Sequence, residues 1–408
     1  MTETQTLSQH TPDAAGSTSV PAERKIGWAL IDADAHIDPP ADMWKDYLPS
    51  HLKDRAPAIE HGDDADYIVF EGNRRPVIMI NNQAGREGKN FKIKGRLAEQ
   101  RKVWDPATRL ADMDTDGIET AILFGGGPLP TFDNDLYIAS YEAYSRWVMD
   151  FCSAAPKRLV PVAYLPLRDI DETIGMMKSA AKMGFRAVNL PSFPQNPEAW
   201  KTSSAVGSVN AAQTSALTGD PLGERQFFQP EFDKLWAAFC DLGLVTTFHL
   251  GARINRFGDK RHFLPDMPMT KVAMAEPVAI AIYAGIFQRF PDLRFATVES
   301  GVGWFSWFAE YMDRTWEKQR FWVDSPLDNP PSFYMDQNVF GSFIQDREGI
   351  LNYGRPGSRN IMWSSDYPHS ETTFPNSRQV IARDFEGVAD DAVKAITHDI
   401  AKKLYRLD

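Results

Sequence analysis

The sequence predicts a parallel α/β protein, and within that class a (β/α)8 barrel is favoured. Short apolar runs alternate with amphipathic helical patterns eight times along the chain, which is typical of parallel α/β folds. In addition, side chains that can bind a metal stand at the ends of several apolar runs. Such ends converge at one mouth when the sheet closes on itself, whereas in an open sheet distant strands stay apart.

Eight apolar runs are the predicted strands. Most are apolar on both faces, as strands buried within a parallel sheet must be. They cover residues 25–33, 119–124, 159–165, 186–190, 244–249, 294–299, 338–343 and 360–366. Periodicity alone does not separate a closed barrel from an open doubly wound sheet, so the positions of the metal-type side chains carry the preference for the barrel.

Helical patterns fill the intervals between these runs. The pattern at 169–183 ends before Gly184, and the pattern at 231–242 ends before Gly243, as helices that end with a left-handed glycine do. Further helices are predicted at 136–155, 277–290 and 304–321.

Two insertions interrupt the alternation, one at about 42–114 after the first strand and one at about 192–230 after the fourth. The first contains a predicted β-hairpin over 66–80 that turns at Gly72-Asn73. Each insertion could wall a pocket or form surface packing or a subunit interface, and both alternatives stay open. Residues 1–23 are predicted to be a disordered or extended arm, and 24–408 a single barrel domain.

Composition limits the classes of partner. The 408-residue chain carries a net charge of −11, which argues against nucleic acid because a nucleic-acid-binding face would be basic. No apolar run of about 18 residues is present, so no membrane span is expected. The first residues lack the pattern of a signal peptide, and the two cysteines form no metal-type or redox pair. We therefore expect a cytoplasmic enzyme that acts on a small molecule.

Four metal-type side chains stand at strand ends. Asp34 and His36, two residues apart at the end of the first strand, share a face, as would Asp32 if the strand ran straight. His249 ends the fifth strand and Asp366 the eighth. A buried histidine or carboxylate at such a position is costly without a partner, so we expect the four to hold one cation.

The donor set indicates which cation. Two imidazoles with carboxylates suit Zn²⁺, Mn²⁺, Fe²⁺ or Co²⁺ better than Ca²⁺ or Mg²⁺, and we expect zinc. A catalytic site would keep one position open for water or substrate. The metal could lower the pKa of bound water to about 7 or polarise a substrate oxygen. Asp366 could both bind the metal and move a proton.

Four segments resemble the amidohydrolase-2 branch of the amidohydrolase superfamily, namely DADAHIDPPADMW, LVTTFHLG, FATVESGVGWFSWFAEYMDR and MWSSDYPHSETTFPNS. That branch includes the aminocarboxymuconate-semialdehyde and γ-resorcylate decarboxylases, and the resemblance runs from Gly27 to the C-terminus. It implies a distorted (β/α)8 barrel with a mononuclear metal site. By the same resemblance, the ligands are Asp34, His36, His249 and Asp366.

Two departures from the family pattern bear on the reaction. The decarboxylases usually carry an acid/base histidine after the sixth strand, where this sequence has Glu299. The binuclear members carry a bridging lysine on the fourth strand, and residues 186–190 contain none. The resemblance therefore implies one metal and makes decarboxylation less certain than it would be with the histidine.

Other polar residues near the strand ends each have a functional and a structural interpretation. Glu299 could be a general acid or base, or a hydrogen-bond acceptor that holds the next helix. Asn189, Arg253 and His369 could bind substrate, or could be structural or solvent-facing loop residues.

Three functions remain open on the sequence. The leading hypothesis is non-oxidative decarboxylation of a small aromatic or unsaturated carboxylic acid, with Asp366 and Glu299 as catalytic residues. The close rival is metal-dependent hydrolysis of an amide, a lactone or a C–C bond. A remote alternative is a binding protein without catalysis. The family tendency and the insertions also suggest a homodimer or a higher homo-oligomer.

Overall fold

A computed structural model describes residues 26–86, 90–125, 127–131, 133–195, 218–220, 223–249 and 260–408. The arm predicted at 1–23 lies outside these residues, as does most of the second insertion.

Each of the eight predicted strands corresponds to observed strand structure. The run at 159–165 is divided at Val162, and the first insertion adds three strands. In chain order the described strands are β1 (Leu30–Ile37), β2 (Ala58–His61), β3 (Asp66–Phe70), β4 (Asn73–Pro76), β5 (Ile118–Gly125), β6 (Leu159–Pro161), β7 (Ala163–Tyr164), β8 (Ala187–Asn189), β9 (Val245–His249), β10 (Phe295–Val298), β11 (Val339–Phe343) and β12 (Ile361–Trp363).

Helices follow most of these strands. The described α-helices are α1 (Met43–Tyr47), α2 (Pro106–Asp116), α3 (Asn134–Cys152), α4 (Ile170–Met183), α5 (Asp233–Leu242), α6 (Lys260–Val272), α7 (Ala275–Tyr283), α8 (Ile286–Arg289), α9 (Phe305–Gln319), α10 (Pro331–Asn338), α11 (Arg347–Leu351), α12 (Ser377–Asp384), α13 (Asp390–Lys394) and α14 (Ile400–Leu404).

The strands outside the first insertion form two parallel sheets, in the orders β1-β5-β6 and β12-β11-β10-β9-β8-β7. Neighbours in space are thus neighbours in chain order among these strands. All eight residues of β1 are buried, as are all residues of β9 and β10, as expected of strands within a parallel sheet that is covered on both faces. The prediction of a parallel α/β fold is confirmed.

Backbone hydrogen bonds connect the two sheets at both junctions. Val162 N–H donates to the Leu123 carbonyl (3.0 Å), and Leu165 N–H donates to the Asn189 carbonyl (3.1 Å), so the divided third strand contacts both neighbours. At the other junction, Asp366 N–H donates to the carbonyl of Asp34 at 3.0 Å. Within the described residues these bonds do not amount to one continuous closed ladder.

Helix ends follow the local sequence. The side chain of Asp169 accepts a hydrogen bond from Glu172 N–H and caps α4, and Gly184 ends that helix with φ 104°. Gly243 ends α5 with φ 61°. Both predicted left-handed glycines are therefore confirmed. The helix predicted at 277–290 is instead divided into α7 and α8, because Gly285 adopts a left-handed φ of 67° between them.

The hairpin in the first insertion is confirmed, and its turn lies one residue earlier than predicted. Phe70 pairs with Asn73, so Glu71 and Gly72 are the central residues, with φ of 49° and 74°. Two positive φ values are what a two-residue type I′ turn requires. The unpredicted strand β2 pairs with β3, and its largely exposed AIEH sequence offers no apolar alternation.

Among the described residues, no helix is both long enough and apolar enough to cross a membrane.

Candidate metal centre

The first strand brings Asp34 and His36 together. Both side chains are buried, and His36 Nε2 lies 3.4 Å from Asp34 Oδ1. Asp32 does not join them, because the register of β1 against β5 shifts between Asp32 and Ala35. Its carboxylate instead accepts hydrogen bonds from the backbone N–H (2.8 Å) and the hydroxyl of Ser365. Asp32 was expected to share the face only if the strand ran straight, and the register shift shows that it does not.

His249, at the end of β9, faces His36. The two Nε2 atoms are 3.2 Å apart, and His249 Nε2 lies 3.4 Å from Asp34 Oδ1. Two nitrogens bound at roughly 2.0–2.1 Å to one tetrahedral cation would stand about 3.3 Å apart. The spacing of the imidazoles therefore suits a shared cation. The proximity of residues 36 and 249, on which the sequence argument depends, is present in the structure.

Asp366 reaches the same point from the loop after β12. The strand predicted at 360–366 ends at Trp363, and Asp366, three residues further along, adopts a left-handed φ of 55° that lies outside strand geometry. Its Oδ1 lies 3.2 Å from His36 Nε2. The backbone N–H of Asp366 donates to the Asp34 carbonyl, and His36 N–H donates to the Tyr367 carbonyl at 2.6 Å. These two bonds fix the loop against β1.

Glu299 follows β10 and completes the cluster. Its φ is 54°, and its N–H donates to Ser342 Oγ at 3.0 Å. Oε2 lies 3.7 Å from His249 Nε2 and 3.9 Å from His36 Nε2. A non-glycine residue with this φ carries backbone strain. Residues that the surrounding structure holds in such a conformation are found most often at functional sites. Glu299 and Asp366 both have this conformation, at two sides of one cluster.

The carboxylates and imidazoles of the cluster stabilise one another's charges. Burial is the largest influence on the pKa of Asp34 and raises it, but the imidazoles of His249 and His36 together outweigh burial and lower the pKa to about 2. Burial likewise lowers the pKa of His36, while Asp34 and Asp366 raise it well above its ordinary value. Surroundings that favour positive charge on an imidazole so strongly also favour a bound cation, which competes with protons for the same atoms.

Three carboxylate oxygens in the cluster have no hydrogen bond. Asp34 Oδ2, Glu299 Oε2 and Asp366 Oδ1 are buried and accept none from the described residues. A buried oxygen of an ionised carboxylate is costly in this condition, and a cation would satisfy it. Four ligand atoms, one each from Asp34, His36, His249 and Glu299, lie within 4.8 Å of one another. The same holds for His36, Glu299, Asp366 and His369. The residues present therefore fit a single divalent metal.

The residues predicted to bind substrate have different positions. His369 stacks on the ring of His36 with centroids 3.8 Å apart, and its Nδ1 lies 3.0 Å from Asp366 Oδ1. Asn189 is buried at the end of β8, where Oδ1 accepts a hydrogen bond from Thr247 Oγ1 at 3.0 Å. Arg253 lies outside the described residues. Substrate contact by these three residues stays a prediction.

Sequence reasoning missed three residues that adjoin the cluster. Lys271 Nζ lies 3.0 Å from Glu299 Oε1, and Glu299, Glu371 and Asp366 together raise the Lys271 pKa although burial, the largest influence, lowers it. The ring of Phe124 lies 5.0 Å from that of His249. Arg109 donates to the His36 carbonyl at 2.9 Å. A lysine or arginine on a helix has no distinguishing pattern, whereas Phe124 could have been found as the last apolar residue of its predicted strand.

Comparisons with known proteins agree with this geometry. The family model described as Amidohydrolase, which represents the amidohydrolase-2 branch, matches residues 31–407. No curated protein matches the sequence.

Solved structures of similar fold share little sequence identity with the chain. An amidohydrolase from Mycobacterium avium subsp. paratuberculosis K-10 is 18% identical with a TM-score of 0.66, covering 93% of this chain and 98% of its own. The 2,6-dihydroxybenzoate decarboxylase from Rhizobium is 16% identical with a TM-score of 0.58, covering 93% and 99%. The 5-carboxyvanillate decarboxylase from Novosphingobium aromaticivorans, complexed with manganese and 4-hydroxy-3-methoxy-5-nitrobenzoic acid, is 16% identical with a TM-score of 0.62, covering 93% and 97%.

The family match spans most of the chain, and side chains from the family motifs lie in two overlapping groups that share His36 and Glu299. The chain therefore belongs to the amidohydrolase-2 branch of the amidohydrolase superfamily and is an enzyme of that family.

Proposed function

We propose that this enzyme is a mononuclear metal-dependent decarboxylase of a small aromatic or unsaturated carboxylic acid. The observation that carries the proposal is the approach of His36 Nε2 and His249 Nε2 to 3.2 Å, each 3.4 Å from Asp34 Oδ1. Decarboxylases of substituted benzoic acids are among the structures of similar fold, which supports this reaction over others in the superfamily.

A barrel fold would account for the position of the metal centre. We take the two parallel sheets as the two halves of one distorted (β/α)8 barrel. In support, the bonds from Asp366 to Asp34 and from His36 to Tyr367 link β1 to the loop after β12, and the proposed ligands Asp34, His36 and His249 lie toward the C-terminal ends of β1 and β9. Barrel enzymes carry their active sites at that end.

His36, His249, Asp34 and Asp366 would hold the metal, with Glu299 beside it. Zn²⁺ and Mn²⁺ both suit this set of nitrogen and oxygen donors. When bound, the metal supplies Lewis-acid polarisation of the substrate's carboxylate and of a neighbouring oxygen.

The side chains around the cluster supply orientation and a proton. The fully buried ring of Phe124, beside His249, makes that side of the cluster apolar, which suits an aromatic or unsaturated substrate. When CO2 leaves, the electron pair of the broken C–C bond stays on the substrate carbon, which must then take a proton. Asp366 Oδ1 lies 3.0 Å from His369 Nδ1, so a proton carried by His369 would be close enough to reach the substrate carbon by way of Asp366.

Hydrolysis of an amide, a lactone or a C–C bond is the second candidate. One observation favours it: Glu299, in place of the histidine of the family's decarboxylases, has an unpartnered Oε2 within 4 Å of both imidazoles. A carboxylate there can accept a proton from water. The bond between Glu299 Oε1 and Lys271 restricts this role to Oε2.

Metal content and product analysis test the proposal together. The purified protein should contain about one equivalent of Zn²⁺ or Mn²⁺ by mass spectrometry. Incubated with a panel of hydroxybenzoates and muconate-like acids, it should release CO2 and form the product that lacks one carboxylate. Turnover of esters or lactones without CO2 release would establish the hydrolase instead. A folded protein without metal, inactive on both panels, would overturn both.

Two single-histidine variants, one inside the cluster and one outside it, test the assignment of the metal ligands. His249→Ala removes one of the two facing imidazoles and should abolish stoichiometric metal binding and CO2 release. His51→Ala changes an exposed histidine outside the cluster and should leave both unchanged. Full metal content in the His249 variant would refute the assignment of this side chain.

A further inference from the structure

Lys271 stands at the border between the buried cluster and solvent. Its Nζ lies 3.0 Å from Glu299 Oε1 and 3.0 Å from Glu371 Oε2. The Glu299 side chain is 6% exposed, Lys271 is 20% exposed and Glu371 is 44% exposed. One ammonium thus connects a buried carboxylate of the metal cluster to a carboxylate in contact with water.

The two ion pairs of Lys271 differ in how easily they break. Separation of Lys271 from Glu299 would leave a buried carboxylate without its cation, which is strongly unfavourable. Glu371 is exposed, and exposed ion pairs contribute little because water solvates each partner well. An incoming anion that competes for Nζ therefore replaces Glu371, whose carboxylate already shows how such an anion would bind.

Lys271 is also close enough to the metal cluster for one small molecule to reach both. The Glu299 carboxylate links Nζ to the imidazoles, since Oε1 contacts Lys271 while Oε2 is 3.7 Å from His249 Nε2. Glu371 lies in the same loop as Asp366 and His369, which belong to the cluster. Displacement of Glu371 would thus occur at the edge of the proposed active site.

We propose that Lys271 binds a second anionic group of the substrate, and that Glu371 occupies this position until the substrate displaces it. The inference rests on the proposed function and narrows its substrate class to small carboxylic acids with a second anionic group, such as aromatic dicarboxylic acids. One anionic group would lie at the metal cluster and the other at Lys271. The contrasting possibility is that the two ion pairs only fasten α6 to the loop.

Calorimetric titration of the metal-loaded enzyme with isophthalate and with benzoate distinguishes these possibilities. The wild-type protein should bind isophthalate more tightly than benzoate. Lys271→Met should weaken isophthalate binding about ten- to a hundredfold, as expected for loss of a hydrogen bond to a charged group, and leave benzoate binding nearly unchanged. Equal loss for both ligands would overturn the proposal.

Glu371→Gln supplies a variant whose expected effect has the opposite sign. Removal of the competing carboxylate should tighten isophthalate binding roughly two- to fivefold, which is the scale of an exposed ion pair. If the two ion pairs only fasten α6 to the loop, isophthalate binding should instead weaken or stay unchanged. This variant changes an exposed residue, so it provides a test even if Lys271→Met folds poorly. Weaker isophthalate binding by Glu371→Gln would overturn the proposal.

A remote ion pair serves as the control. Lys234 bonds Asp171 with side chains 48% and 78% exposed, so Lys234→Met should change neither affinity. The two proposals can also fail separately. If the wild-type protein prefers isophthalate through Lys271 but releases no CO2 from any acid, the anion site is supported and the proposed reaction is overturned.

Discussion

Replacement of Arg109 by methionine tests the buried charges behind the metal cluster. Arg109 is 1% exposed, its Nη1 donates to the His36 carbonyl at 2.9 Å, and its guanidinium carbon lies 4.5 Å from the centre of the Tyr367 ring. The buried carboxylate of Asp32 is also close enough to interact with its charge. Methionine keeps an apolar chain of similar shape, so the change mainly removes charge and hydrogen bonds.

The structure sets the expected cost. Loss of one partner from a buried charged group costs about 3–5 kcal/mol. The cavity beside Arg109 measures about 10 Å³, so its present volume offers at most one water molecule to replace the hydrogen bonds of the guanidinium. Burial raises the pKa of Asp32 to about 7, however, which lets Asp32 take up a proton when the cation is removed. We therefore expect the lower end of the range, about 3 kcal/mol.

Urea unfolding measures this free energy, and Arg74→Met is the matched control. Arg74 also has one carboxylate partner, Glu60, and one aromatic partner, Tyr67, but its side chain is 47% exposed. Its replacement should cost much less than that of Arg109, because water solvates both Arg74 and Glu60. If Arg109→Met lowered the free energy of unfolding no more than Arg74→Met does, burial would not strengthen the interactions of Arg109, and our reasoning would be refuted.

Three further predictions concern the metal, the proton donor and the strand that carries Phe124. The first reference state is the protein with metal at about a hundred times its dissociation constant. Relative to it, excess chelator should lower the free energy of unfolding, measured by urea titration, by about 2.7 kcal/mol. A protein without a metal site would show no change. Asp366→Asn should reduce kcat by at least about a hundredfold, because the amide cannot deliver the proton, and activity within threefold of wild type would contradict that role. Gly125→Ala places a Cβ only 1.7 Å from the hydroxyl of buried Tyr144 and should cost about 1–3 kcal/mol in urea titrations. In contrast, Gly175→Ala in α4 has no neighbour within 4 Å and should stabilise the protein by roughly 0.5–1 kcal/mol.

Local sequence was sufficient for the elements and for part of the site. Each predicted strand corresponds to observed strand structure, because burial on both faces leaves a continuous apolar run that does not depend on neighbours. Gly184 and Gly243 end their helices as predicted, since a left-handed φ is a local preference of glycine. Asp34 and His36 share a face for the equally local reason that side chains on a strand alternate.

Local patterns failed where the partner was distant in the chain. Asp32 left the predicted face because β1 shifts its register against β5, and the strand before Asp366 ended early because that residue turns back to bond β1. The sequence offers no sign of either contact. Lys271 was missed for the same reason, since only the tertiary structure brings it to Glu299.

By itself, the sequence determined the class of fold, the family motifs and the kinds of ligand atom that the site offers, because each depends on residues close together in the chain. Only the tertiary structure decided that His249 and Asp366 both lie beside His36, that Glu299 directs one oxygen toward the facing imidazoles, and that Lys271 holds the other. Distances between such residues follow from how the sheets and loops pack, a property of the whole folded chain and of no single segment.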